Sequence, residues 1–473
     1  MVAVEEKISV QAVFAGQQQR VGQLRMQTIE QRGKKIASLG RWIKSNRSAI
    51  HQALHDDFRK PQMEVDAVDI LPVLQEISHT RSNLHRWTKP RKVDAPLTML
   101  GTRSFIMYEP KGVCLVLSPW NYPFVLAVGP VVSALAAGNS VIIKPSEYTP
   151  HTSALIKRMM SELFEPSEVA VITGGIEVAE ELLRLPFDHV FFTGSPAVGK
   201  LVMKAAAENL TSVTLELGGK SPAIVTPTAR LRDAVTRIAI AKFFNNGQTC
   251  VAPDYVVVHE AVRDVFIEQL KHEIQRLLAR NGSVQQSPDY ARIASDKHFQ
   301  RLNELIQDAL QKGATPIVAG PVDAATRFIH PTVLTGVTEG MRVMQEEIFG
   351  PVLPILTYRN LPEAIALINR FPKPLSLYLF TQQRADQSEV LSQTSAGGVC
   401  INECAIHFLN HNLPFGGVNN SGIGKSHGHY GFLAFSNEKP VLRQRNGLTT
   451  FSFFFPPYTA RAKKLMDWLI RLS

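Results

Sequence analysis

The chain reads as an α/β protein: a Rossmann-type parallel sheet followed by a second α/β unit. Three observations carry that expectation. Short apolar runs alternate with helical stretches from about residue 112 onward, the rhythm of a parallel sheet covered by helices on both faces. The runs end in glycine- or proline-bearing turns, as buried strands do. At 473 residues the chain exceeds what one hydrophobic core usually supports, so two or more domains are expected.

The elements follow in order. Residues 13–88 read as long amphipathic helices; Ile36, Leu39, Trp42 and Ile43 recur at helical spacing with Lys and Arg between them. The pattern stops at Lys89-Pro90, and residues 96–108 have the extended character of a strand arm. Gly112-Val113-Cys114-Leu115-Val116-Leu117, ended by Ser118-Pro119, suits a fully buried strand. Residues 124–137 are apolar nearly all round, as in a buried helix; with Pro119 and Pro123 before them, they fall short of the ~20 residues a membrane span needs. Strands are expected at 140–144, at 169–173 before Gly174-Gly175, and at 189–193 before Gly194. A second set begins with a strand at 222–225, a helix near 231–245 and a strand at 255–259, which puts the domain boundary between Leu217 and Gly219. No internal repeat or low-complexity stretch is visible.

Composition narrows the function classes. Four cysteines (Cys114, Cys250, Cys400, Cys404) are too few for a disulfide framework and fit a reducing, cytoplasmic setting. Residues 1–10 show no apolar leader. The net charge of +10 is unevenly spread: residues 431–473 hold seven Lys/Arg against two acids, half of the surplus. No zinc-finger or RNP-like motif accompanies it, so nucleic acid is not expected as a partner and a membrane surface is the better candidate.

The chemistry-bearing segments come next. Cys250 lies in Gln248-Thr249-Cys250-Val251-Ala252, a polar turn after an apolar helical run, and Glu216 precedes Leu217-Gly218-Gly219-Lys220. Together they offer a thiol nucleophile and a carboxylate base, the pair that covalent catalysis on a carbonyl needs. There is no Gly-x-Gly-x-x-Gly. Instead, Gly194-Ser195-Pro196-Ala197-Val198-Gly199-Lys200 stands at a strand-to-helix turn, where small residues and helix N–H groups suit a pyrophosphate. It nearly spells a phosphate-binding loop, but Leu201 stands where a magnesium-holding hydroxyl would be needed. Lys144 and Glu147, after the 140–144 strand, are placed for ribose hydroxyls or form a plain solvated loop. His407 and His411 have the i, i+4 spacing of helical metal ligands but no carboxylate pattern beside them, and no metal is expected.

The segment 242–255 resembles the nucleophile motif of the aldehyde dehydrogenase superfamily. Pro119-Trp120-Asn121-Tyr122-Pro123, Glu346-Glu347-Ile348-Phe349-Gly350-Pro351, Pro414-Phe415-Gly416-Gly417 and Ser421-Gly422-Ile423-Gly424 match further motifs of that family. The resemblance runs over most of the chain and is nearest to the class 3, fatty-aldehyde-type branch. It implies an aldehyde dehydrogenase-like fold: an NAD(P)-binding domain over 1–217 with a strand arm near 88–108, a catalytic domain over 218–407, a return to the oligomerisation arm over 408–450, and an amphipathic tail over 451–473. It implies NAD(P)-dependent oxidation of an aldehyde to an acid, with Cys250 as nucleophile, Glu216 as base and Asn121 as oxyanion donor. For the cofactor it implies Trp120, Lys144, Glu147, Thr193, Gly194, Ser195, Val198, Gly199, Leu217, Glu347 and Phe349, with NAD preferred and NADP tolerated. Tyr122 and His407 are carried over as substrate neighbours, and a homodimer is implied. CoA-linked acyl reduction is the rival reading within the class, against which Glu216 counts. A catalytically silent binding protein on the same fold is the rival outside it.

The tail adds one feature. Phe451-Ser452-Phe453-Phe454-Phe455-Pro456-Pro457-Tyr458 precedes a helical stretch in which Leu465, Trp468, Leu469 and Leu472 share a face. Such a helix suits peripheral contact with an anionic membrane, or docking on the protein's own surface over the substrate entrance or a dimer partner. Its apolarity points to medium- or long-chain aldehydes: fatty, isoprenoid or apocarotenoid.

Overall fold

The computed structural model describes residues 9–96, 99, 101–279, 282–447, 449, 452 and 454–472. Most of the 1–10 stretch, together with Phe451, Phe453 and the Leu472 side chain, lies outside the described residues.

Two sheets carry the chain's chemistry. In the first, strands Val113–Leu117, Ser140–Lys144, Val169–Val171, His189–Gly194 and Ser212–Leu217 run parallel, and Gly422–Ile423 adds an antiparallel edge. Val113–Leu117 and Ser140–Lys144 are buried at every position, which is why they read as unbroken apolar runs rather than alternating ones. The helix Val125–Ala137 is buried along most of its length and accommodates Pro130 in its interior. Pairing of Leu117 with Lys144 and of Gly194 with Leu217 aligns the carboxyl ends of these strands, the edge at which parallel sheets bind ligands.

The chain leaves this sheet at Leu217 and enters the second at Pro222–Val225. The second sheet has seven strands in the order Thr315–Val318, Thr332–Thr335, Val352–Tyr358, Tyr255–His259, Pro222–Val225, Ser376–Phe380 and Gly398–Ile401, parallel except for the first. A three-stranded arm pairs Arg91–Val93, Thr102–Pro110 and Ser436–Gln444. The span 408–450, read from the sequence as a return to the arm, divides its work. Only Ser436–Gln444 pairs in the arm, while Gly422–Ile423 closes the first sheet beside Glu216. The physical reason is glycine: a Cβ at Gly422 would meet the Leu215 carbonyl oxygen at 2.4 Å, so this close approach of strands tolerates no side chain.

The N-terminal helices Ile29–Ser45, Arg47–Phe58 and Leu71–Trp87 seal one face of the first sheet, burying Ile36, Leu39, Ile43, Ile50, Leu54 and Val73. Between them, Asp66–Ile70 widens into one π-type turn. It carries Asp69, whose carboxylate bonds Lys60 Nζ at 2.6 Å with both side chains wholly buried. The same ammonium sits 4.0 Å from the centre of the Tyr122 ring, so this pair supports the segment that holds Asn121.

Removing one partner strands the other charge. Asp69→Ala is expected to lower unfolding free energy by about 3–5 kcal/mol in urea denaturation, and Lys60→Met with Asp69→Leu should regain most of it.

Candidate active site

The nucleophile reaches its place through a strained turn. After helix Leu231–Phe243 the chain passes through Asn245 and Asn246, both left-handed (φ +51° and +56°), and Gly247 (φ +73°). Asparagine is among the few side chains that tolerate this region. At 247 even Cβ is excluded, because it would meet the Gly350 carbonyl oxygen at 2.3 Å. Side chains fix the turn from several directions. Glu64 accepts the Asn245 backbone N–H at 3.0 Å, and Asn246 Nδ2 donates to the Ala291 carbonyl at 2.8 Å. Gln248 donates to the carbonyls of Asn245 (3.1 Å) and Arg292 (3.0 Å) and accepts from the Ala294 N–H (2.9 Å).

Asn121 and Tyr122 face this turn. Asn121 Nδ2 donates to the Gln248 carbonyl at 3.0 Å, and the amide's second N–H remains for a further acceptor. The Tyr122 hydroxyl lies 2.6 Å from Thr249 Oγ1. On the other side, Tyr378 donates to the Val251 carbonyl, and Val251, Leu375 and Phe415 form a small apolar cluster against which Cys250, Ala405 and Phe408 pack.

Two carboxylates converge on the sulfur. Glu216, at the end of strand Ser212–Leu217, is 5% exposed; Ser426 Oγ donates to Oε1 and Thr193 Oγ1 to Oε2 at 3.5 Å. Burial raises its pKa, opposed by the nearby His427 and the two hydroxyls. Glu347 sits at the Gly218-Gly219 turn, where a Cβ on Gly218 would fall 2.2 Å from Oε2. Burial and the Asp254 charge push Glu347 up to about 8 against the Gly219 N–H and Lys220. Lys220 ties this corner together, bonding Asp254 and the carbonyls of Val343 (2.7 Å) and Glu346 (3.0 Å). The Cys250 thiol is pushed up to about 12, first by burial and then by the charges of Glu347 and Glu216, with the N–H groups of Cys250 and Val251 opposing. Both carboxylates therefore lie close enough for their charges to act on the thiol, and burial and these charges together favour its protonated form.

The residues expected at a dinucleotide line the carboxyl end of the first sheet. Ser195 caps helix Pro196–Ala207 and accepts from the Val198 N–H, which leaves that helix's N-terminus open for a phosphate. Gly199 is held by packing: a Cβ there would meet Leu217 Cδ2 at 2.7 Å, and one at Gly194 would meet Phe192 Cζ at 2.5 Å. Val198 and Leu201 are 45% and 64% exposed, an apolar surface beside the turn that fits an aromatic base. Lys144 Nζ bonds Glu147 at 2.7 Å at the mouth of the same edge. The Trp120 ring lies edge-on to Phe349 at 5.3 Å, and Phe349 itself is left-handed (φ +52°). These groups fit a dinucleotide. The Thr193 hydroxyl, at the end of the same strand edge, faces Glu216.

His407 lies 5.7 Å from the Phe415 ring; its ring nitrogens face Ser376 Oγ (3.2 Å) and Cys400 Sγ (3.2 Å), and burial pulls its pKa down to about 4, keeping it neutral. His407 and His411 do not share a helical face, because Ile406–Leu409 is a tight 3₁₀ turn. His411 instead faces Glu76 at 2.7 Å, and with His427 these form a cluster whose nitrogen and oxygen atoms lie within 4.8 Å of one another. Glu76 there also accepts the Gly428 N–H at 2.9 Å.

Several residues that shape the site had no sequence signal of their own. Ser426, which bonds the base, lies just beyond the late glycine motif; Glu64 and Gln248 look like ordinary polar residues. His298, 4.3 Å from the Trp120 ring, is likewise silent in sequence.

Comparisons with known proteins agree with this geometry. Residues 2–441 match the model of the aldehyde dehydrogenase family. The chain is 45% identical over 463 residues to 4,4'-diaponeurosporen-aldehyde dehydrogenase of Staphylococcus aureus, covering 98% of both chains. It is 38% identical to aldehyde dehydrogenase family 3 member A2 of Pongo abelii, covering 94% of this chain and 90% of that one. A solved structure described as the substrate-bound state of Staphylococcus aureus AldH superposes with a TM-score of 0.92 at 44% identity, covering 98% of this chain and 99% of that one. Betaine aldehyde dehydrogenase from Staphylococcus aureus, solved with NAD+, gives 0.84 at 28% identity, with 96% and 89% covered.

Because Glu347 raises the Cys250 pKa, Glu347→Gln should lower it and increase the thiolate fraction, by about tenfold per pKa unit. Iodoacetamide should then alkylate Cys250 of the variant faster than wild type at pH 9, where Glu347 is ionised. Equal or slower alkylation would contradict the shared pocket.

Proposed function

The chain belongs to the aldehyde dehydrogenase family, and from that premise we propose which residues do the work and which aldehydes are taken. It is an NAD(P)-dependent aldehyde dehydrogenase, and its relatives place it in the class 3 branch. The observation that carries the residue assignment is the convergence of Glu216 and Glu347 on the Cys250 sulfur.

The sulfur is a neutral thiol at rest, so it must lose a proton before it can attack. Glu216, buried and with its pKa raised, is the acceptor. The Cys250 thiolate adds to the carbonyl carbon, and the oxyanion is met by the Asn121 amide and the Cys250 N–H. Loss of one such donor typically costs ~3 kcal/mol of transition-state stabilisation. Bound NAD(P) supplies the hydride acceptor. Glu347 and Phe349 hold the nicotinamide ribose, Trp120 packs beside Phe349, and Lys144, Glu147, Ser195 and the backbone of Gly194 and Gly199 hold the other half. A carboxylate at 147 disfavours a 2′-phosphate, so NAD is preferred. Glu216 releases the thiol's proton to solvent before the second half-reaction; it then takes a proton from the water that hydrolyses the thioester on Cys250 and passes it to the departing sulfur, which frees the acid and restores the thiol.

The substrate is a medium- or long-chain apolar aldehyde. The sulfur packs against an apolar cluster of Val251, Leu375, Phe415, Ala405 and Phe408. The name of the Staphylococcus relative, an apocarotenoid-type aldehyde dehydrogenase, supports the same class. A homodimer is supported by the arm: its edge strand Ser436–Gln444 has no further strand beyond it among the described residues, and Leu442 on it is exposed. Helix Ala460–Leu472 presents Trp468, 56% exposed, together with Met466 and Ile470, beside four basic residues. This supports peripheral contact with an anionic membrane; no helix among the described residues is long and apolar enough to cross one.

Four measurements test these assignments. Cys250→Ala should abolish NADH formation while NAD binding persists. Glu216→Gln should lower both the single-turnover burst of NADH and steady-state turnover, by about 10²–10⁴-fold; an undiminished burst would mean that it does not take the thiol proton and acts in hydrolysis alone. Across an aldehyde series, kcat/KM should rise with chain length, and a preference for short polar aldehydes would refute the apolar substrate. Flotation on vesicles containing anionic lipid should fall when residues 451–473 are removed, and equal recovery would refute the membrane role.

A further inference from the structure

A cleft away from the active site is built to hold an anion. It measures about 1090 Å³ and lies between the end of helix Arg47–Phe58 and residues 285–292, with His51, His55, Arg59, Gln62, Asp289 and Arg292 among its walls. A smaller cavity of about 300 Å³ shares His55, Arg59 and Arg292 and adds Arg327. Arg292 is 5% exposed. Its terminal nitrogens donate to the carbonyls of Gln285 (2.6 Å), Tyr290 (2.7 Å) and Ala291 (3.3 Å), yet its buried Nε has no hydrogen-bond partner. Among the described residues, Arg59, Arg292 and Arg327 form no ion pair with any carboxylate.

The nearby acids are otherwise engaged. Asp56 bonds Gln52, Asp57 caps the helix that begins near His151, Asp66 pairs with Arg47 and His51, and Asp323 bonds Thr326. Asp289 alone faces the cleft without a side-chain partner among the described residues. Arg59 is held left-handed (φ +53°) at the end of its helix, and its charge, after burial, depresses the Arg292 pKa, which brings the two cations into each other's field. Arg59 and Arg292 both line the cleft, and two guanidiniums there favour an acceptor-rich anion over any neutral ligand.

Both walls of this cleft also carry the nucleophile turn. Ala291 and Arg292 accept hydrogen bonds from Asn246 and Gln248, and the Tyr290 hydroxyl donates to Asn246 at 3.3 Å. On the opposite wall, Pro61, Gln62 and Met63 lead directly into Glu64, which accepts the Asn245 N–H.

We propose that this cleft binds a soluble diphosphate-type anion through Arg59 and Arg292, and that its occupancy is felt at Cys250 through the 290–292 and 61–64 walls. The site is separate from the dinucleotide turn at Gly194–Gly199, and the proposal does not depend on the residue roles assigned above. The test is calorimetric titration of the full chain with inorganic pyrophosphate at fixed ionic strength, in the presence of saturating NAD to block the dinucleotide turn. Saturable binding is expected, weakened by about tenfold or more in Arg59→Gln. Without NAD, pyrophosphate should change the rate of Cys250 alkylation in wild type but not in Arg59→Gln. Unaltered NADH turnover by that variant in the absence of pyrophosphate will show that it is folded. Absence of saturable binding, loss of binding once NAD is added, or equal affinity in Arg59→Gln overturns the site. An alkylation rate indifferent to pyrophosphate in wild type overturns the coupling.

Discussion

Cys250, Glu216 and Glu347 arrive in one pocket from three separate segments, and their charges repel. Taking two carboxylates out of water beside a sulfur that must ionise is unfavourable, and each group answers with a raised pKa. The arrangement persists because each carboxylate is hydrogen-bonded. Glu216 is held by Ser426 and Thr193, and Glu347 by the Gly219 N–H. Two buried lysines lie in the same corner: Lys220, bonded to Asp254, and Lys242, whose charge is drawn toward Asp254 and Glu347 even as burial lowers its pKa to about 8.

This repulsion also explains why the scaffold must be stiff. Glu216 belongs to the first sheet, while Cys250 and Glu347 precede strands of the second, so the pocket exists only while the two sheets keep their relation. The antiparallel edge Gly422–Ile423 brings a late part of the chain back onto the strand of Glu216, and the turn that follows delivers Ser426. The Asn245–Gly247 turn, pressed against Gly350, fixes the sulfur in turn. Backbone conformations this uncommon are retained where the surrounding structure over-determines them, and here the side chains of Glu64, Asn246 and Gln248 do so.

The apolar wall has a second consequence. The apolar cluster of Val251, Leu375 and Phe415 lowers the local polarity beside the half-buried thiol, which strengthens the electrostatic contacts made there. The same desolvation that keeps the resting thiol protonated makes the oxyanion donors effective once the carbonyl is attacked. Affinity for an apolar aldehyde and control of the proton thus arise from one property of the cavity.

The strands were legible in sequence because they rest on local rules, unbroken apolar runs and glycine-bearing turns, and Cys250 and Glu216 stood out as candidates by residue type and motif resemblance. Asn121 and Glu347 were legible only through motif resemblance, since nothing in their immediate neighbours requires a function. Ser426, Glu64, Gln248 and His298 were not legible, because what each contributes is a hydrogen bond or ring contact to a residue far away in the chain. The spacing of His407 and His411 looks helical, but a 3₁₀ turn sends the two rings to different neighbours. Sequence alone determined which groups could react and which segments would be buried. The tertiary structure decided which of those groups share a pocket and what their protonation is, because pKa depends on burial and on charges that only folding brings near.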